Sequence, residues 1–276
     1  MAPAPFPVAD LALSRRLERA EAAANARFVD ARGQRSPASG ACHKEVRGAM
    51  LCYDGPRSPC TQTFCLGLFE MPSAGDMDEV EGFFEQRGAP VMHEVSPLAD
   101  PCLLGLLGER RYFPIEFSSM MYMPLPPSLP GGGARNPSLT VRLAGRGEEE
   151  LWARTAAEGW SGLTGFDDLL FDLCQVTAYR EGALSFLAEW EGRAIASGAL
   201  LLHEGVALMA GASTLPEWRK RGAQNALFEA RIQHAIAAGC DIAMINCQPG
   251  SSSQRNAERQ GFRIAYTRVK WQLIRR

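Results

Sequence analysis

The stretch Pro124-Leu-Pro-Pro-Ser-Leu-Pro-Gly-Gly-Gly-Ala-Arg-Asn-Pro137 limits what this chain can fold into more than any other. Its five prolines and three consecutive glycines cannot continue a helix or pair centrally in a sheet, because proline lacks the N–H and clashes with the preceding turn. The segment reads as a linker, stiffened by proline and then loosened by glycine. A chain of 276 residues is then expected to form two units, 1–123 and 138–276, joined by 124–137. Both can hold a core, since 46% of residues are hydrophobic and 22% charged, the profile of an ordinary globular protein.

The formal net charge of −2 gives no argument for a nucleic-acid or an anionic-membrane partner. The start Met-Ala-Pro-Ala-Pro-Phe-Pro has neither a basic region nor an apolar targeting core. No apolar run reaches the length of a membrane span, so a cytoplasmic location is expected. Cys42, His43, Cys52, Cys60 and Cys65 lie close together and could in principle ligate zinc. No Cys-x-x-Cys pair occurs, however. The eight cysteines are therefore expected to be reduced, mostly buried thiols, and no metal is expected.

Periodicity and turn residues predict strands over 138–143, 183–190, 194–202, 206–214, 241–247 and 262–274 in the second half. Helices are predicted over 148–157, 166–179, 222–238 and 252–260. Gly239 and Gly261 are placed to end two of them. The first half predicts helices over 9–31, 77–86 and 100–108, and strands over 46–53, 61–69, 89–95 and 112–123. The order implies a mixed α/β sheet flanked by helices. Phe84-Glu-Gln-Arg-Gly-Ala-Pro-Val-Met-His-Glu-Val-Ser-Pro97 can be laid over the segment from Ala235 to Pro249. Each has a helix end, a glycine, a strand and a proline that opens the next helix, so two tandem halves of one fold are expected.

The chemistry concentrates in Ser213-Thr-Leu-Pro-Glu-Trp-Arg-Lys-Arg-Gly-Ala-Gln-Asn-Ala-Leu227. A strand ends, three cations follow, then a glycine, and a helix starts. The first turn of a helix carries unpaired N–H groups and partial positive charge. A glycine there lets a phosphate approach the backbone, and Arg219, Lys220 and Arg221 add charge. No Gly-x-x-x-x-Gly-Lys-Ser/Thr sequence occurs, so the loop is not of the nucleotide triphosphatase kind.

Here the sequence resembles the GNAT superfamily of acetyl-CoA-dependent N-acyltransferases. That family's pyrophosphate loop reads Arg/Gln-x-x-Gly-x-Gly/Ala, and this chain has Arg219-Lys-Arg-Gly222-Ala-Gln224, departing only at Gln224. Asn246-Cys-Gln-Pro-Gly-Ser-Ser-Ser-Gln-Arg-Asn-Ala-Glu-Arg-Gln-Gly-Phe262 is similar to the strand, helix and Gly-Phe that follow in the family. The resemblance covers 138–276 and implies a GNAT-like, largely antiparallel sheet. It implies acetyl-CoA as acyl donor, held by Ala212, Thr214, Arg219, Lys220, Arg221, Gly222, Ala223, Gln224, Asn225 and Asn256. It also implies direct transfer to the amine of a small molecule or to a protein amino group.

In many relatives a tyrosine four residues before the terminal glycine protonates the departing thiolate. Ala257 stands at that position here, and Tyr266 is the substitute candidate. Glu189, Glu204, Glu217, His203 and Cys247 are candidates for the base, and none is singled out. The first half has the acidic Glu70-Met-Pro-Ser-Ala-Gly-Asp-Met-Asp-Glu79 where the second is basic. It is expected to be a degenerate copy that does not bind CoA and that covers the active half, shapes the substrate cleft or forms a homodimer. A CoA-binding regulatory protein without turnover is the alternative reading.

Overall fold

The computed structural model describes residues 5–126, 137–161 and 167–274. Most of the expected linker, 127–136, lies outside the described residues. The first half runs α1 (Leu11–Arg35), β1 (Cys42–Val46), β2 (Ala49–Tyr53), β3 (Gln62–Phe64), α2 (Ala74–Glu85), β4 (Met92–Val95), α3 (Cys102–Glu109) and β5 (Tyr112–Pro124). The second runs β6 (Leu139–Leu143), α4 (Glu149–Trp160), α5 (Asp167–Tyr179), β7 (Ala183–Trp190), β8 (Arg193–His203), β9 (Val206–Thr214), α6 (Ala223–Ala237), β10 (Ile242–Cys247), α7 (Ser252–Arg259) and β11 (Arg263–Leu273). From α1 and from α5 onward the two halves repeat one order of element types. The fold is a mixed α/β sheet with helices, in two tandem halves.

Two differences from the sequence reading have local causes. The single strand expected at 46–53 is a hairpin. Arg47 and Gly48 form a two-residue turn between Val46 and Ala49, both with positive φ, at 50° and 76°. That conformation matches the twist of paired strands. The strand expected over 61–69 stops at Phe64, because Cys65 and Gly67 take left-handed φ of 64° and 67° and Leu68 N–H closes a turn onto Cys65 C=O.

A third difference concerns the domain boundaries. The chain divides into two compact units, one holding Pro124–Ala243 and the other Phe6–Met123 with Met244–Arg276. The last residues therefore do not complete the unit expected over 138–276. Strand β10 straddles the division. Within the Pro124–Ala243 unit β9, β8, β7 and β6 are neighbours in that order, all antiparallel. Trp152, Ala153 and Ala156 of α4 pack on Leu187 and Ala199.

In the other unit the order is β1-β2-β3-β4-β11-β5. Strand β11 pairs antiparallel with both β4 and β5, and the β3–β4 contact is parallel and brief, at Thr63 and His93. The core is built on Leu51, Leu66, Met77, Val80, Phe84, Leu103 and Leu107.

Strand β11 also brings charge into that unit. Arg268 is fully buried, with ion-pair distances of 3.0 Å to Glu18 and 2.5 Å to Glu21 of α1 and 2.9 Å to Glu94 of β4. Lys270 pairs with Glu94 and Glu116, Asn246 donates to Glu21, and Tyr266 OH donates to Glu18 at 3.0 Å. Burial, with the charges of Glu21 and Glu94, pushes the Glu18 carboxyl up to about 7 even though Arg268 pulls it down. Burial also raises Glu21, but Arg268 and Asn246 outweigh it and hold that carboxyl below its usual range.

Glu18 therefore stores a proton near neutrality, and its linkage to stability has a definite sign. Between pH 4.5, its ordinary value, and about 7 the folded state holds a proton the unfolded state has lost. Stability falls with rising pH across that window and levels off above it. Glu18→Gln removes the fall. Urea unfolding should show the variant equal to wild type at pH 4.5 and roughly 3 kcal/mol more stable at about pH 8, at 1.36 kcal/mol per pKa unit. A pH-independent difference between the two proteins would refute the assignment.

Candidate functional site

The basic loop lies wholly in the Pro124–Ala243 unit. Strand β9 ends at Thr214, residues Pro216–Trp218 make one 3-10 turn, and α6 begins at Ala223. Gly222 is the N-cap of α6, with φ +88°, and no side chain caps the helix. A glycine N-cap has no side chain to turn inward, so the positive end of the helix macrodipole is not neutralised at that position. Lys220 also has positive φ, at 64°. Gln224, which departs from the resembled motif, is helical. Its Nε2 donates to Ser213 C=O at 2.9 Å and to Thr214 Oγ1 at 2.7 Å, tying α6 to the end of β9.

The three cations are used differently. Arg219 folds back, donating to Thr214 C=O at 3.3 Å and to Gly159 C=O at 3.2 Å. It fixes the loop to the last turn of α4. Gly159 lets that turn lie on β9, since a Cβ there would collide with Ser213. Arg221 stands over the rings of Trp190 and Trp218. Lys220 is exposed.

Behind the loop the β8–β9 ladder is irregular. Ser197 faces Ser213 and Ala199 faces Ala210, so Gly211 and Ala212 both stand opposite Gly198. Gly211 has φ +59°, and the extra residue makes a bulge that bends the strand. Sequence reasoning missed the residue that braces it. Arg231 of α6 is buried and donates to Ala199 C=O at 3.3 Å and to Ala210 C=O at 3.5 Å, on the two strands beside the bulge. Burial pulls its guanidinium down to about 10, still charged at neutral pH. Gly198 makes room for it, since a Cβ there would sit 3.2 Å from the guanidinium carbon.

The corresponding helix of the other unit differs. The N-cap Ser73 of α2 and Asp76 form a reciprocal capping box, and Arg47 bonds Asp76 and Glu70. The N–H groups of Ser73 and Asp76 are thus taken by its own side chains, and the acidic charge there disfavours an anion.

Of the remaining sequence candidates, Glu217 stands in the 3-10 turn of the loop itself. Glu189 accepts from Arg142 at 2.6 Å, exposed Glu217 pairs with Arg193 at 3.5 Å, and exposed Glu204 faces His203 at 3.9 Å. Tyr266, Asn256 and Cys247 belong to the other unit. There Tyr266 is bound to Glu18, and burial pushes its phenol well above the ordinary value. Asn256 is exposed and accepts from Arg259. Burial and Glu258 raise the Cys247 thiol to about 11. Among the described residues no group of three or more His, Cys, Asp or Glu side chains could hold a metal ion, and no helix is long and apolar enough to cross a membrane.

Residues 141–245, which include the bulge, the loop and α6, match the family model of the acetyltransferase (GNAT) domain. The fold is similar to that of a GCN5-related N-acetyltransferase from Kribbella flavida, at 17% identity and a TM-score of 0.63, over 91% of this chain and 96% of that one. It is also similar to a tandem GNAT protein from the clavulanic acid biosynthesis pathway, at 12% identity and a TM-score of 0.57, over 83% and 79% of the two chains. A GCN5-related N-acetyltransferase from Sphaerobacter thermophilus follows at 15% identity and 0.54, over 76% and 71%. No curated protein matches the sequence.

Proposed function

We propose, from the premise that residues 141–245 are a GNAT acetyltransferase domain, that this acyltransferase moves the acetyl group of acetyl-CoA directly onto an amine, of a small molecule or of a protein. The observation that carries the reading is the uncapped N-terminus of α6 behind a cationic loop, beside a bulged strand. The N–H groups of the first turn, with Lys220 and Arg221, suit a pyrophosphate. Gln224 and Arg219 hold that turn against β9 and α4, so little ordering remains to be done on binding.

Acetyl-CoA supplies a thioester as acyl donor. At the bulge, the backbone of Gly211 and Ala212 is released from the β8 ladder, and an N–H there suits a carbonyl oxygen that gains negative charge during transfer. The amine attacks in its neutral form. A carbon–nitrogen bond forms and the carbon–sulfur bond breaks. The amine gives up a proton and the thiolate takes one, and Ala257 cannot supply it. A CoA thiol leaves readily at neutral pH, so this loss is compatible with turnover. It also motivates the second reading, a CoA-binding protein without turnover.

Calorimetry should give one CoA per chain, since α2 is capped by its own side chains. Incubation with acetyl-CoA and a panel of primary amines and peptides should release free CoA thiol in proportion to acetylated product. Binding with no product on any acceptor would favour the second reading. Absence of binding would defeat both.

A further inference from the structure

Arg221 is the loop cation whose surroundings are least expected. Among the described residues it forms no ion pair or hydrogen bond. Its guanidinium carbon instead lies 4.8 Å from the ring centre of Trp218 and 5.4 Å from that of Trp190. The two indoles come from different elements, the 3-10 turn before the loop and the tip of the β7–β8 hairpin. They contact each other with ring centres 5.9 Å apart. Arg193, at the same hairpin tip, also stands over Trp218, at 5.5 Å, but its charge is met by Glu217. Arg221 is thus an exposed cation held by ring faces, with no anion among the described residues to answer it.

An aromatic face attracts a guanidinium without using its N–H donors. The edges that would bind a carboxylate or a phosphate in bidentate fashion remain available. A long arginine side chain otherwise loses several rotatable bonds when it engages an anion, and holding it beforehand removes part of that cost. The loop's other arginine, Arg219, is held differently, by backbone oxygens, with Nε donating to Thr214 and Nη2 to Gly159.

We propose that Trp190 and Trp218 are positioning residues that hold Arg221 ready for a phosphate of the nucleotide end of CoA. The indole pair thereby discriminates CoA from donors that lack the nucleotide. This rests on the reading of the loop as a CoA site. Because the anchoring is shared between two elements, the hairpin tip at 190–193 becomes part of the donor site although it lies outside the basic loop.

The test uses the full chain and measures binding of CoA and 3′-dephospho-CoA by calorimetry, and turnover with acetyl-CoA and acetyl-pantetheine. Arg221→Gln should weaken CoA by about tenfold through the lost charge, and Trp190→Ala by about two- to fivefold, the range of a cation–π contact at an exposed site. KM for acetyl-CoA should rise while kcat stays. The double variant should be no weaker than Arg221→Gln alone, because the tryptophan acts through the arginine. Trp190→Phe, which keeps a ring, should recover most of the affinity. Parameters for acetyl-pantetheine should not respond to either substitution. An equal loss with dephospho-CoA assigns Arg221 to the pyrophosphate, and a loss confined to CoA assigns it to the 3′-phosphate. Additive effects, or an equal loss with acetyl-pantetheine, would overturn the proposal. CoA affinity untouched by the variants would overturn it alone. A wild-type chain that binds no CoA would remove the loop reading as well.

Discussion

Replacing Arg268 by methionine should lower the melting temperature by roughly 10 °C or more. Arg268 is the only cation that reaches all three of Glu18, Glu21 and Glu94 among the described residues. Removing one partner of a buried ion pair costs about 3–5 kcal/mol because the charge left behind loses both water and partner. One kcal/mol moves the midpoint of a unit this size by about 2–4 °C. The loss should shrink at low pH, since Glu21, now held below its ordinary range by Arg268, would take up a proton when Arg268 is gone. Adding Glu18→Gln and Glu21→Gln to Arg268→Met should restore much of the stability, because Lys270 still answers Glu94 and the other two buried charges are gone. A melting shift of only a degree or two for the single variant would mean that the cluster is solvated and that its charges are screened.

That cluster also shows where sequence reasoning stops. Arg268 and Lys270 stand on a β-rich run that holds no carboxylate, so nothing local in the sequence says what they pair with. Only pairing with β4 sets Lys270 opposite Glu94, and only the covering helix brings Glu18 and Glu21 onto Arg268. Alternation in a strand tells which residues share a face, not which strand lies beside it. For the same reason the sequence boundary at 138 could not reveal that Met244–Arg276 packs with the first half. The β1–β2 hairpin was missed because Arg47-Gly48 is not the usual Asn-Gly turn and His43-Lys44-Glu45 carries no apolar alternation.

Strands β7 and β9, by contrast, fall at the residues read from the sequence, since each is apolar and bounded by turn residues. The loop was legible because its signal is local: a strand end, three cations, a glycine and a helix. What each cation does was not legible. Arg219, which with Gly222 matched the family pattern, gives two of its N–H groups to the backbone. The partners of Arg221 and Arg231 lie 31, 32 and 21 positions away or at a turn, and no short motif encodes them.

Gly222→Asp should reduce CoA affinity by about a hundredfold or more, and Gly222→Ala should separate the causes. A Cβ at residue 222 meets no heavy atom within 4 Å, so bulk is not the obstacle. The strain lies in φ +88°, which costs an L residue about 1–3 kcal/mol. If the backbone keeps its shape, that cost falls equally on free and bound protein. Gly222→Ala should then melt earlier yet bind CoA within a few-fold of wild type. Aspartate adds a carboxylate at the N-cap of α6, where aspartate is a favoured cap and accepts from first-turn N–H groups. It would occupy the donors a pyrophosphate needs and repel the phosphate charge as well. Two such effects together reach about 2.8 kcal/mol, a hundredfold at 1.4 kcal/mol per decade. Calorimetry on the three proteins, each melted beforehand to establish that it is folded, decides the matter. Equal CoA affinity in Gly222→Asp and Gly222→Ala would mean that no phosphate sits at this helix end.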